Sequence, residues 1–273
     1  MGLSDTEGFA PQWLSLREDA DAEARATEPP ALLGGHGALV ADLGCGTGAM
    51  GRWLVPRLPG PGRWLLIDRD PALLARAERG VAAPARTLRA DLAALDPSDL
   101  DGVTLVTASA LLDLLTGEQA VHLARTVVRL GCPALFALTV SGRVEFSPTD
   151  PWDEAFAAAF DAHQRRGGRL GPDAAPLMAG VLRGSGRRVR CFPSPWRLGP
   201  RHPGLTEAWL RGWVGAAVEQ DPALPGRAYL ERRSRAHAEG RLRAIVHHTD
   251  LLALPPRAAE RGGDSAGPRP ARG

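Results

Sequence analysis

The sequence predicts an α/β fold, a doubly wound and mostly parallel sheet with helices on both faces, and three observations predict it. Short apolar runs bounded by turn residues alternate with segments of three-to-four apolar spacing from residue 37 to about residue 140, the pattern of βαβ units. The first run ends in a glycine-rich turn, Asp42-Leu43-Gly44-Cys45-Gly46-Thr47-Gly48, that opens straight into a helical pattern. Acids follow the next two runs, Asp68 and Asp91, so three polar elements share the C-terminal edge of one sheet, where ligands bind in such folds.

Each element follows from local chemistry. Residues 38–43, 63–68, 86–90, 103–108 and 134–140 read as strands, and 50–58, 71–79 and 117–130 as the helices between them. Pro71 sits where a first-turn proline is tolerated and Gly131 where a helix stops. Past residue 140 the pattern loosens into an amphipathic helix at 152–166, a strand at 187–192, helices at 206–220 and 228–240, and a final strand within 241–254. Ahead of the sheet, 11–26 reads as a helix of mixed charge ending near Pro29-Pro30. The predicted organisation is an N-terminal helical cap over 1–36, an α/β domain over 37–254 with helical insertions near 148–166 and 204–240, and a tail over 255–273. The tail holds Pro, Gly, Arg and Ala without periodicity and is expected to be disordered.

Composition bounds the function. With 273 residues, 44% hydrophobic and 23% charged, the chain can bury a sizeable core without a metal or disulfide staple. All 33 basic residues are Arg, and the net charge is only +2, which argues against a long phosphate-tracking surface. Cys45, Cys132 and Cys191 are odd in number and widely spaced, suggesting neither disulfides nor zinc. No run reaches the roughly 18 apolar residues of a membrane span, so a cytoplasmic location and no membrane partner are expected.

The turn has a physical purpose. Its glycines let backbone N–H groups approach a ligand, and the helix N-terminus adds partial positive charge. Asp42 is suited to an ammonium group or to bracing the turn. Asp68 suits two ribose hydroxyls or is a solvated strand-end acid, and Asp91 suits an adenine amino group or starts a turn. Together they predict a nucleoside-bearing ligand.

Val40-Ala41-Asp42-Leu43-Gly44-Cys45-Gly46-Thr47-Gly48, Asp68, Asp91 and Thr107-Ala108-Ser109-Ala110 resemble motifs I to IV of the class I S-adenosylmethionine-dependent methyltransferase family. The resemblance covers roughly residues 38–140 and, with the order of apolar runs, implies seven strands, the last antiparallel. It implies S-adenosyl-L-methionine as cofactor, with Gly44, Cys45 and Gly46 at the methionine end, Asp68 at the ribose, Arg69 and Leu92 on the adenine faces, Asp91 at the adenine amino group and Ser109 at the methionine amino group. Arg17, on the helix that closes over the cofactor in many relatives, is a candidate for the methionine carboxylate; an intrahelical pair with Asp21 is equally consistent.

Rival classes share parts of this pattern. A NAD(P)-dependent oxidoreductase needs G-x-G-x-x-G, forced here only by reading Gly44, Gly46 and Ala49. A non-catalytic nucleoside-binding accessory subunit would keep the turn and expose an apolar face. Residues 108–113, Ala-Ser-Ala-Leu-Leu-Asp, lack the proline-aromatic motif that the amine-methylating nucleic-acid enzymes of the family carry. Cys132 stands beyond the position of a cytosine-C5 nucleophile, and Thr139-Val140-Ser141 offers no metal-binding acid. The expected activity is metal-independent methyl transfer to a small molecule, with an RNA methyltransferase as the alternative.

In-line methyl transfer needs positioning first and a base only if the nucleophile must lose a proton. Arg143 and Glu145 past strand five, and Trp152, Asp161, His163 and Arg166 on the next helix, are candidates for gripping the acceptor. His163 is the candidate base because imidazole titrates near neutrality, with Asp113, His122 and one of His247-His248 as rivals. Arg143, Arg165 and Arg166 would suit an acidic acceptor. Trp209 and Trp213, four apart, anchor a helix or line a pocket.

Overall fold

The computed structural model describes residues 11–60, 62–92, 95 and 97–256, so most of the predicted tail lies outside the described residues. Helices α1 (Pro11–Ala24) and α2 (Pro29–Leu33) lead into β1 (Leu39–Leu43), α3 (Ala49–Leu54), β2 (Arg63–Asp68), α4 (Pro71–Gly80), β3 (Ala85–Arg89), β4 (Leu105–Ser109), α5 (Gly117–Leu130) and β5 (Ala134–Ser147). The later chain adds α6 (Asp153–Gln164), α7 (Ala174–Gly184), β6 (Arg188–Pro193), β7 (Trp196–Leu198), α8 (Pro203–Gln220), α9 (Gly226–Ala238) and β8 (Arg243–Leu254). The sheet order is β3-β2-β1-β4-β5-β8-β6, with β7 paired to β8. Strands β1 to β5 pair in parallel, and β8 runs antiparallel to β5, β6 and β7. The expected antiparallel last strand is present, and β7 adds an eighth.

Alternation along the strands splits the core. Leu43, Ile67, Phe136 and Leu251 face Ala124 and Val127 of α5 and Met178 and Leu182 of α7. Val40, Leu66, Leu135 and Leu252 face Leu33, Met50, Trp53 and Leu74 on the other side. Two-sided burial is why these strands read as continuous apolar runs.

Three elements depart from expectation. β5 continues to Ser147 with register shifts at Phe136/Thr139 and Val140/Val144 against β8, whereas the sequence pattern ends this strand at residue 140. Beyond the sheet edge the paired β5 and β8 carry a third core, in which Phe146, Val246 and Trp196 pack on Phe156, Trp213 and Tyr229. α7 is masked in the sequence by Gly171, Pro172 and Pro176, yet Pro176 is the third residue of the helix, where its missing N–H leaves no bond unmade. β7 is three residues long and hemmed by Pro193, Pro195 and Pro200.

Candidate functional site

The glycine-rich turn between β1 and α3 forms one wall of a cavity of about 360 Å³, closed on the opposite side by α1. Gly44 has φ 62, and an added Cβ would stand 3.0 Å from Leu111 Cδ1, so both the backbone angle and the space at the wall exclude a side chain. Gly48 has φ 86 and lets α3 start against Cα of Ala77 on α4. From α1 and its continuation, Leu14, Arg17, Asp21 and Arg25 line the cavity, a stripe at three- and four-residue spacing.

Asp68 braces the turn: its Oδ2 accepts the Gly46 N–H at 2.9 Å and its Oδ1 the Asp70 N–H at 3.0 Å. Asp70 in turn caps α4, accepting from Ala72 N at 2.8 Å. Asp68, Arg69, Asp91, Leu92 and Ser109 all line the cavity, together with Asp42, Gly44, Cys45 and Gly46. Cys45 contributes its backbone, N–H to Ile67 O at 2.9 Å, while burial pushes its thiol pKa up.

Two charged groups are buried here without full partners. Asp42 is 1% exposed; its Oδ1 accepts from Thr107 Oγ1 at 2.8 Å, and its Oδ2 has no partner among the described residues. Burial pushes its pKa up to about 7, against the lowering effect of the Thr107 bond and of Arg25. Arg25 is 3% exposed. Its Nη2 donates to Ser109 Oγ at 3.0 Å, and its Nε and Nη1 have no partner among the described residues. Desolvation lowers its pKa, opposed by Asp21, Asp250 and Asp42. Sequence reasoning missed Arg25; the signal that could have found it is its helical spacing from Asp21, Arg17 and Leu14.

Arg17 also faces the cavity but is already engaged. Its Nε donates to Asp21 Oδ2 at 2.9 Å, and its guanidinium lies 4.9 Å from the Trp196 ring centre. Asp21 Oδ1 accepts from Trp196 Nε1 at 2.9 Å, and Glu18 takes Arg52 of α3 in a two-pronged pair at 2.6 and 2.7 Å. These contacts fasten α1 over the turn.

The structure does not bring the candidate base to this cavity. His163 is not in its wall; its Nε2 lies 3.4 Å from Glu219 Oε2 on α8. Arg166 also binds Glu219, Arg165 binds Asp173, and Arg143 binds Glu145. The helix over 152–166, whose residues are candidates for gripping the acceptor, is seen as α6 to turn its apolar face to α8 and the third core. Trp209 and Trp213 are anchors in that core. Of the histidine pair, His248 points inward, 5.1 Å from the Trp196 ring, with its pKa pushed down to about 3 by burial. His247 pairs with Glu145 at 2.8 Å. Asp113 has a buried, unpartnered Oδ1 among the described residues and a pKa raised to about 6 by desolvation, but it is not in the cavity wall.

Residues 40–133 match the family model for a methyltransferase domain. The chain is 32% identical over 176 residues to the biotin biosynthesis bifunctional protein BioCD of Bordetella avium, covering 64% of this chain and 34% of that one; it thus spans about a third of the length of the curated relative it matches. Among solved structures it is similar to a SAM-dependent methyltransferase of Thiobacillus denitrificans in complex with S-adenosyl-L-homocysteine, with 19% identity, 90% of this chain and 92% of that one covered, and a TM-score of 0.44. It is likewise similar to one of Geobacter sulfurreducens in complex with the same molecule, with 18% identity, coverage of 90% and 98%, and a TM-score of 0.47. No helix of the described residues is long and apolar enough to cross a membrane.

Proposed function

We propose that this chain, whose residues 40–133 match the family model for a methyltransferase domain, is a class I S-adenosylmethionine-dependent enzyme that moves a methyl group to a small-molecule acceptor held beside the cofactor. One observation carries the reading. Two buried groups of opposite charge in one cavity wall, Arg25 and Asp42, keep unpartnered atoms among the described residues, and neither hydrogen-bonds the other. A buried guanidinium without full partners is costly, and the same burial holds Asp42 close to neutralisation, so a ligand carboxylate and a ligand ammonium would relieve the two. An amino-acid zwitterion meets both demands, its carboxylate on Arg25 and its ammonium on Asp42.

The rest of the wall fits the same cofactor. Gly44 would let the backbone approach the methionine end, Asp68 would take the ribose, and Asp91, Leu92 and Arg69 would meet the base, all of them in the cavity wall. When bound, S-adenosylmethionine supplies an electrophilic methyl on sulfur. The chain's part is to hold the acceptor in line and keep water out, and well-oriented reactants gain on the order of 7–11 kcal/mol. Leu14, Leu111, Leu114 and Leu115 offer apolar wall for the acceptor. The cavity, about 360 Å³, is near the lower end of the roughly 300–1,000 Å³ of small-ligand sites. The large apolar residues exposed among those described are Leu16, Leu32 and Trp152, which weighs against an accessory subunit with a broad apolar face.

The test is transfer of an isotopically labelled methyl group from S-adenosylmethionine into pooled small metabolites and, separately, into RNA. Label in a small molecule supports the proposal. Label in RNA alone overturns the acceptor class, and tight binding of a nicotinamide dinucleotide without binding of the sulfonium donor overturns the whole reading.

Asp42 gives donor binding a pH signature. With a free-state pKa near 7, it is mostly protonated below that value and must release a proton to meet an ammonium. Donor affinity should therefore rise as pH increases from about 5.5 to about 7.5, approaching tenfold per unit at the acid end, with proton release on binding. Calorimetry in buffers of different ionisation heat measures both; a flat profile would remove Asp42 from the ammonium site.

A further inference from the structure

The arginine proposed for the methionine carboxylate comes from the N-terminal cap, where its N–H donates to Asp21 O at 3.0 Å, yet the residue after it is tied to the last strand. We propose that Asp250 is a positioning residue that holds Arg25 in place for the ligand carboxylate; this rests on the function proposed above. Asp250, on β8, is 1% exposed. Its Oδ2 accepts the N–H of Ala26, the residue after Arg25, at 2.9 Å. Its Oδ1 accepts the N–H of Leu138 at 2.8 Å.

Leu138 is fully buried and has φ 56, a left-handed conformation that a leucine adopts only where its surroundings impose it. It lies in the register shift between Phe136 and Thr139. The neighbouring strand ends with the same departure: Ala110 has φ 50, and its N–H donates to Ala137 O at 2.9 Å. Ser109, which accepts from Arg25 Nη2, immediately precedes Ala110. Arg25 is thus held at both ends, its backbone by Asp250 through Ala26 and its head group by Ser109, and Asp250 and Ser109 adjoin two strained residues, Leu138 within β5 and Ala110 just past β4. The Asp250 carboxylate is also, after Asp21, one of the charges that oppose the desolvation of Arg25.

Asp250→Asn preserves shape, removes the charge and leaves one of the two N–H groups facing an amide donor. The readout is a pair of ligands: S-adenosylhomocysteine, and 5′-methylthioadenosine, which keeps the nucleoside and thioether but has no amino acid. The variant should bind S-adenosylhomocysteine about tenfold or more weakly and 5′-methylthioadenosine within about twofold of the parent. In an Arg25→Ala background the same substitution should cost nothing further, because coupled residues are not additive. Equal weakening of both ligands, an unchanged S-adenosylhomocysteine affinity, or full additivity with Arg25→Ala overturns the proposal. Should Asp250→Asn fail to fold, the comparison is made with Asp250→Glu, which keeps the charge but moves the accepting oxygens by one methylene. If the parent protein binds neither ligand, the proposed function falls; if it binds both and the variants do not discriminate, only the role of Asp250 falls.

Discussion

Arg25→Ala is expected to weaken binding of S-adenosylmethionine and S-adenosylhomocysteine by about a hundredfold or more. Nε and Nη1 of Arg25 are buried donors without partners among the described residues, and each charge-assisted bond they would make is worth about 1.5–3 kcal/mol. The alanine also leaves Asp42 and Asp21 with less compensating charge, since both act on Arg25. Calorimetry on the purified variant measures the loss, and Arg25→Lys, which keeps a charge and loses the planar fork, should recover part of it. A loss smaller than about threefold would mean that another group receives the carboxylate, with Arg17 the first alternative because it also lines the cavity.

Trp213→Ala is expected to cost about 3–5 kcal/mol of stability, the range for deleting a large buried aromatic. Trp213 is 1% exposed, and its ring lies 5.3 Å from Phe146, 5.9 Å from Phe156, 5.7 Å from Trp209 and 6.1 Å from Tyr229. Its removal opens the centre of the core that joins α6, α8 and α9 to the extended β5 and β8. Denaturant unfolding followed by far-ultraviolet dichroism gives the number. Where the variant remains folded, donor affinity should stay near that of the parent, because Trp213 is not in the cavity wall. A cost under about 1 kcal/mol would mean that the surrounding rings collapse into the space.

The parts of the fold and site that the sequence reveals are those fixed by neighbours in the chain. The turn at Gly44 and Gly48 is legible because positive φ and close approach leave glycine as the residue that fits, and Asp68 because it follows directly from its strand. The cap is harder to read. α1 buries Arg17 and Asp21 beside Ala20, so its inward face is polar and carries almost no amphipathic signal; Arg25 escapes notice for the same reason. His163 attracts attention by its titration range, and its surroundings are set by Glu219 on another helix, which no local pattern reveals. Asp250 sits in a run of Thr and Leu at 249–252 and reads as a polar interruption, because what it binds, Ala26 and Leu138, lies 224 and 112 residues away.

That separation bears on when the site comes into being. Residues 40–133 hold the glycine turn and the acids that follow β2 and β3, and these leave the ribosome early in a synthesis that proceeds at about 5–20 residues per second. The contact that seats Ala26 needs Asp250, close to the end of the last strand. A nascent chain can therefore form the nucleoside half of the cleft well before its amino-acid half, and a product truncated ahead of β8 would keep every recognisable motif while lacking the support under Arg25.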